Sequence, residues 1–191
     1  MKSKIVLALD PSGNYNEGKG TTGWCLAKNG YIYSAGQVYA AEHTDQMAYW
    51  EAVLKLITKT YKELDSDTEM VVVCEDYRLY ASASQAQINS NLETPQLIGV
   101  IKWACYKLDI PIVMQMAAEV KNRWSNEILI DQNIISKDYN SPGYHCGTIA
   151  LSNHSLDALR HCVHYNTFKV KARNNPRIQK MYTHEYDNYR R

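Results

Sequence analysis

Apolar residues enter this chain first as short unbroken runs and later as helical stripes. Ile5-Val6-Leu7-Ala8-Leu9 is apolar on both faces, the pattern of a buried strand, and Asp10-Pro11 ends it because proline cannot continue a ladder. Ser12 to Gly20 is a loop rich in Gly, Asn and Lys. Thr22 to Ala27 reads as a second strand, Asn29-Gly30 as a two-residue hairpin turn, and Tyr31 to Gly36 as the start of a third strand, so three antiparallel strands come first. Met47, Trp50, Leu54, Ile57, Tyr61 and Leu64 recur at spacings of three and four and predict a helix, with Thr44 or Asp45 as its N-cap. Met70 to Cys74 is again continuously apolar and ends at Glu75-Asp76, as in a central parallel strand covered by helices. The polar stretch Ser82 to Asn91 reads as helical. Thr94-Pro95 opens a clearer helix that buries Leu97, Ile101, Ala104, Cys105 and Leu108. Ile110 to Met114 is the fifth strand, with Pro111 placing it near an edge or at a strand start. Residues 117 to 130 read as helical, 131 to 153 as irregular with a turn at Ser141-Pro142-Gly143, and Ser155 to Tyr165 as the last helix. The order βββαβ(α)αβαα predicts an α/β fold, a five-stranded mixed sheet (strands 1 to 3 antiparallel) flanked by helices.

At 191 residues, 45% apolar and 21% charged, the chain can bury one core, which excludes disorder along its whole length. The apolar runs fall far short of the roughly 18 residues of a membrane span, so no membrane partner is expected. Met1-Lys2-Ser3-Lys4 leads directly into a run too short for a secretory signal. Five cysteines without a C-x-x-C spacing point to a reducing, intracellular setting and away from a disulfide framework. Charge divides the chain. Residues 1 to 165 hold 14 basic and 18 acidic side chains, and residues 166 to 191 hold seven basic and two acidic. A body over 1–165 with a basic C-terminal arm over 166–191 suits a polyanionic partner, with Lys169, Lys171 and Arg173 as candidate contacts and Tyr182, Tyr186 and Tyr189 interleaved with the charge. A solvated tail is the plainer reading of the same composition.

The candidate chemistry is acidic. Two buried-type strands each end in a carboxylate, Asp10 and Glu75. If those strands are adjacent and parallel, the two carboxylates face each other, and their repulsion calls for a proton or a cation. A divalent ion with oxygen ligands is the natural occupant. His154 and Asp157 stand three apart at a helix start and project from one face, while Leu156, Leu159 and Val163 supply the packing side. Together Asp10, Glu75, His154 and Asp157 could hold two Mg²⁺ ions about 3.5–4 Å apart, with Mn²⁺ substituting. Taken singly, each has a structural reading: Asp10 as a turn residue, Glu75 as a loop charge, His154 beside an N-cap, Asp157 as an acid favoured in a first helical turn. His161 follows Asp157 by one turn on roughly the same face, and reads either as a support behind the metal ligands or as an exposed side chain.

These segments carry a resemblance. Ile5-Val6-Leu7-Ala8-Leu9-Asp10-Pro11-Ser12-Gly13 followed by Thr22-Gly23-Trp24 resembles the opening of RuvC-type Holliday junction resolvases, of the ribonuclease H-like superfamily. Val71-Val72-Val73-Cys74-Glu75 resembles their second motif, Met116-Ala117-Ala118-Glu119-Val120-Lys121 their segment after strand five, and His154-Ser155-Leu156-Asp157-Ala158-Leu159 their closing acid-x-x-Asp-Ala motif. The likeness spans residues 4 to 165, and the small bacteriophage members are the most similar, which implies the cytoplasm of a bacterial or phage-infected cell. Three departures stand out: the loop Asn14 to Gly20 is long, Ser12-Gly13 replaces the common glycine-led pair, and His154 stands where many members carry Asp.

The resemblance implies a ribonuclease H-like nuclease domain in which Asp10, Glu75 and Asp157 bind metal with His154 beside them. It implies a magnesium-dependent endonuclease that resolves four-way junctions in recombination and repair by paired nicks, acting as a homodimer whose interface helix would be Ser82 to Leu92. Lys19, Arg78, Lys121 and Arg123 are candidates for DNA backbone contacts, and Tyr77 and Tyr80, beside Glu75, for wedging base pairs. For each cation the alternative is a solvated surface charge, and for the tyrosines core packing. Rival functions are a flap or fork nuclease or a ribonuclease of the same fold, and a junction-binding module without catalysis. A zinc site from His145, Cys146, His161, Cys162 and His164 lacks the spacing of structural zinc motifs. A sugar-kinase-type ATPase would need a second domain.

Overall fold

The computed structural model describes residues 3–16, 18–77, 92–137 and 143–174. Among them the main sheet has five strands, β1 (Ser3–Asp10), β2 (Thr21–Lys28), β3 (Tyr31–Tyr39), β4 (Thr68–Asp76) and β5 (Ile112–Met116), in the order β3-β2-β1-β4-β5. β1 pairs antiparallel with β2 and parallel with β4; β2 and β3 are antiparallel, and β4 and β5 parallel. Asn29 (φ 52°) and Gly30 (φ 90°) make the left-handed turn that joins β2 to β3, as their sequence predicts.

The doubly apolar strands divide their side chains between two core layers. Leu7, Leu9, Val72 and Cys74 pack against α1 (Gln46–Lys62) and α2 (Glu93–Lys107). Val6, Ala8, Val71 and Val73 face the opposite layer, which contains α3 (Ala117–Arg123), α4 (Asn126–Asp131) and α5 (Asn153–Asn174). Each buried Leu or Ile side chain contributes about 1.5–3 kcal/mol, so these layers hold the helices more than helix propensity does. The same period of two continues beyond the core. Asp10 follows Val6 and Ala8, Glu75 follows Val71 and Val73, and Gln115 follows Val113, so strand parity directs all three toward the α5 layer.

Several expectations are adjusted. Asp45 caps α1, its carboxylate accepting from the Ala48 N–H at 2.8 Å. The buried stripe of that helix is Tyr49, Trp50, Val53, Ile57 and Thr60, while Met47 and Tyr61 are exposed. Tyr49 takes the inner position because its hydroxyl donates to the Ser12 carbonyl at 2.6 Å and pairs with Thr22 at 2.7 Å, which satisfies a buried polar group. β5 begins two residues later than its apolar run, after Pro111, and lies at a sheet edge. The 117–130 segment is two short helices separated at Trp124-Ser125, with Ser125 capping α4. The stretch read as irregular contains a small antiparallel sheet of β6 (Ser136–Lys137), β7 (Tyr144–Cys146) and β8 (Ile149–Leu151). α5 continues to Asn174, across the boundary expected between body and basic arm. The Ser82–Asn91 helix and most of the arm fall outside the described residues. No helix among the described residues is long and apolar enough to cross a membrane.

Candidate active site

The site forms where the C-terminal ends of β1 and β4 meet the start of α5. The parallel register runs to Leu9↔Cys74, so the next residues, Asp10 and Glu75, stand abreast as adjacent parallel strands require. On the other side of β1, Asp10 is registered with Gly23. A Cβ at Gly23 would lie 2.1 Å from the His154 carbonyl oxygen and 2.8 Å from the Ser155 nitrogen. Glycine at this position is what lets the α5 N-terminus lie directly on β2. That approach brings His154 Nδ1 to 3.0 Å from Asp10 Oδ2. Leu156 and Leu159, both buried, seat the helix on the sheet as their spacing predicts.

Asp157 stands between two cations. Lys121 Nζ lies 2.9 Å from its Oδ2, and the Arg160 guanidinium donates to its Oδ1. Arg160 also donates to the Trp124 carbonyl through Nε at 3.0 Å and to the Asn126 side chain, tying α5 to the α3–α4 turn. Replacing Arg160 with Met removes all three bonds while filling much of the space. Urea unfolding is expected to show a loss of about 2–3 kcal/mol, in the range for hydrogen bonds to charged groups.

His161 is fully buried, and both ring nitrogens are engaged: Nε2 is 3.0 Å from Glu75 Oε2, and Nδ1 is 2.9 Å from the Gln115 side chain. Of the two sequence readings of this histidine, a support behind the metal ligands or an exposed side chain, its burial rules out the second. The signal was present in the spacing, since His161 follows His154 by seven and Asp157 by four, and Gln115 has the parity of Val113.

The electrostatics follow from this crowding. Burial pushes the Asp10 carboxyl above the ordinary carboxylate range, and the charges of Glu75 and Asp157 push the same way against the His154 bond. Burial also opposes ionisation of Glu75. The His161 contact, the Lys121 charge and a hydrogen bond from Asp10 outweigh it and hold Glu75 below its usual range. Of the two carboxyls, Asp10 is therefore the one that takes a proton more readily. The Asp10 bond raises His154 above the ordinary histidine value against the effect of burial. Burial disfavours the Lys121 ammonium, but the Asp157 contact and the neighbouring acidic charges keep it protonated.

The loop between β1 and β2 is anchored beside the site. The Gly13 N–H donates to Thr94 Oγ1 at 2.9 Å, and the Asn16 amide donates to the buried Glu93 carboxylate at the start of α2. Lys19 on this loop is exposed. The other expected DNA contacts are scattered. Tyr77 is half-buried against the α1–α2 layer, as core packing predicts. The Arg123 guanidinium lies 4.3 Å from the centre of the Phe168 ring. Arg78 and Tyr80, and the side chains of Lys169, Lys171 and Arg173, lie outside the described residues.

Among the described residues, no three His, Cys, Asp or Glu side chains are drawn together as a ready-made metal cluster. The four candidates are held by protein partners instead: Asp10 by His154, Glu75 by His161, and Asp157 by Lys121 and Arg160. The chemistry of the donors still suits a hard divalent cation, because oxygen ligands predominate and the crowding that disfavours the Asp10 carboxylate is what such a cation relieves. The zinc grouping has no such support, since both nitrogens of His161 are already engaged with Glu75 and Gln115.

Sheet order, strand directions and helical layers define a ribonuclease H-like α/β fold. Among solved structures, the chain is similar to Thermus thermophilus RuvC in complex with a Holliday junction substrate. The TM-score is 0.56 at 12% identity, covering 87% of this chain and 96% of that one. A second Thermus thermophilus RuvC structure matches with TM-score 0.53, the same identity and the same coverage. No family model matches the chain, and no curated protein matches it. The likeness shows the expected fold.

Proposed function

We propose that this chain is a divalent-metal-dependent endonuclease that cuts phosphodiesters in branched DNA, with four-way junctions as its substrate. The observation that carries this reading is the convergence of Asp10, Glu75, His154 and Asp157 from three separate segments at one end of a RuvC-like sheet. A neighbour of the same fold was solved with a Holliday junction substrate, which supports the choice of DNA.

Asp10, Glu75, His154 and Asp157 would hold Mg²⁺, two ions per site, with Mn²⁺ as a substitute. The bound metal would supply acidity toward an attacking water and charge stabilisation at the leaving 3′ oxygen. The chain's own groups set the conditions for that chemistry. Asp10 must be ionised to act as a ligand, and His154 must be neutral to offer a lone pair. Lys121 balances Asp157 before any ligand arrives and stands ready to meet a phosphate when that carboxylate turns away. A four-way junction has near-twofold symmetry, so paired nicks call for two such sites and hence a twofold dimer.

The pH dependence carries a sign. Because Asp10 favours the protonated imidazole of His154, the Mg²⁺-dependent rate falls as pH drops. At Mg²⁺ low enough that the metal-free protein sets the titration, the midpoint lies above the ordinary histidine value. In a His154→Asp variant the histidine limb disappears and kcat/KM stays level to lower pH, as read from single-turnover rates across about pH 5.5–8.5, the range in which histidine titrates.

The substrate test compares four-way junction, flap, fork and RNA·DNA hybrid at one salt concentration with Mg²⁺. Paired symmetric nicks confined to the junction, leaving 5′-phosphate and 3′-hydroxyl ends, are expected. Preference for a flap, fork or hybrid transfers the activity to that substrate. Junction binding without cutting leaves a recognition module.

A further inference from the structure

We infer that His161, held in turn by Gln115, is the positioning residue that sets the Glu75 carboxylate for a divalent cation. The inference rests on the metal-binding reading above. It starts from a buried polar side chain that packing does not require. His161 has no exposed surface, and at a fully buried position an apolar residue would need no partners. A buried imidazole is retained at a cost unless its nitrogens are bonded.

Both are bonded, and the partners are specific. Glu75 and Gln115 occupy paired positions on β4 and β5, and both reach the same ring on α5. Nε2–H donates to Glu75 Oε2, and the Gln115 carboxamide can turn either its oxygen or its NH₂ toward Nδ1. One carboxylate oxygen of Glu75 is thereby held by the protein, and the orientation of the other follows. Three elements fix that orientation, whereas a glutamate at a strand end would otherwise sample several rotamers. Ligand carboxylates fixed by an outer hydrogen bond lose about 10–100-fold in metal affinity when that bond is removed.

The test is Mn²⁺ binding to the full chain, read as free and bound Mn²⁺ by electron paramagnetic resonance at one fixed pH. Thermal melts on each variant report folding. His161→Leu is expected to bind Mn²⁺ about 10–100-fold more weakly than the wild type. His161→Gln, whose amide nitrogen reaches the position of Nε2, restores affinity to within a few-fold. Gln115→Leu, which frees the ring without touching Glu75, falls between them.

A folded His161→Leu protein with wild-type affinity overturns the inference, as does a Gln variant as weak as the Leu variant. If the Leu protein does not fold, Gln115→Leu decides, and wild-type affinity there overturns it. Wild-type protein that binds no Mn²⁺ removes the metal-binding reading and this inference together. Wild-type binding that no folded variant weakens removes only the role of His161.

Discussion

Asp10→Asn is expected to abolish cutting, with a loss on the order of 10³-fold or more, while junction affinity at fixed salt stays within a few-fold of wild type. Asp10 ends the central strand, faces Glu75, bonds His154 and feels the charge of Asp157. An amide keeps the shape and a bond to the imidazole but cannot supply anionic charge. The same change has a second, opposite signature. Burial and two neighbouring acids raise the Asp10 carboxyl in the folded state. A raised carboxyl favours folding at low pH, and that advantage is lost as pH rises through the folded value. At neutral pH the metal-free wild type therefore carries a penalty that the Asp10→Asn variant lacks. The Tm of the variant is expected to exceed that of the wild type by a few degrees at neutral pH, with the gain vanishing below the ordinary carboxylate range. A dead but more stable variant distinguishes a lost active-site charge from a damaged fold.

Gly23→Ala is expected to produce the other large effect through backbone alone. A Cβ there meets the His154 carbonyl at 2.1 Å, and a backbone atom at a helix start cannot rotate aside. Either β2 bends or the α5 N-terminus lifts, and both separate His154 from Asp10. The strain is expected to cost about 1–3 kcal/mol or more in urea unfolding, with a rate loss of roughly a hundredfold from misplacement of the catalytic groups. Gly30→Ala is the comparison. It strains a turn at the far end of the same strand, so it lowers stability with the cutting rate of the folded protein unchanged. Equal rate losses in the two variants would remove the special role of Gly23.

Much of the sheet was legible because its strands announce themselves by period and punctuation. Ile5–Leu9 and Met70–Cys74 are apolar on both faces, and Asp10-Pro11 and Asn29-Gly30 mark where strands stop or turn. Parity then carries Asp10 and Glu75 to one face without any further information. The small sheet β6–β8 was not legible, since strands of two or three residues carry no period, and a turn-rich sequence masks them. The α1 stripe was misplaced because Tyr49 owes its buried position to Thr22 and Ser12, residues far away in the chain. The same limit applies in the site. His154 and Asp157 were visible as a helical pair, but the partners of Asp157 come from α3 and from its own helix. Lys121 reads in sequence as a DNA contact and is bonded in the structure to Asp157. Long-range pairing of charges leaves no mark on local spacing.

The most direct measurement is crystallographic: crystals grown with Mn²⁺, with diffraction recorded at the manganese edge. The account predicts anomalous density beside the Asp10 and Glu75 carboxylates, with Asp157 turned from Lys121 toward it. Anomalous maps with no density between those carboxylates, at Mn²⁺ concentrations that saturate any cutting activity, would contradict it.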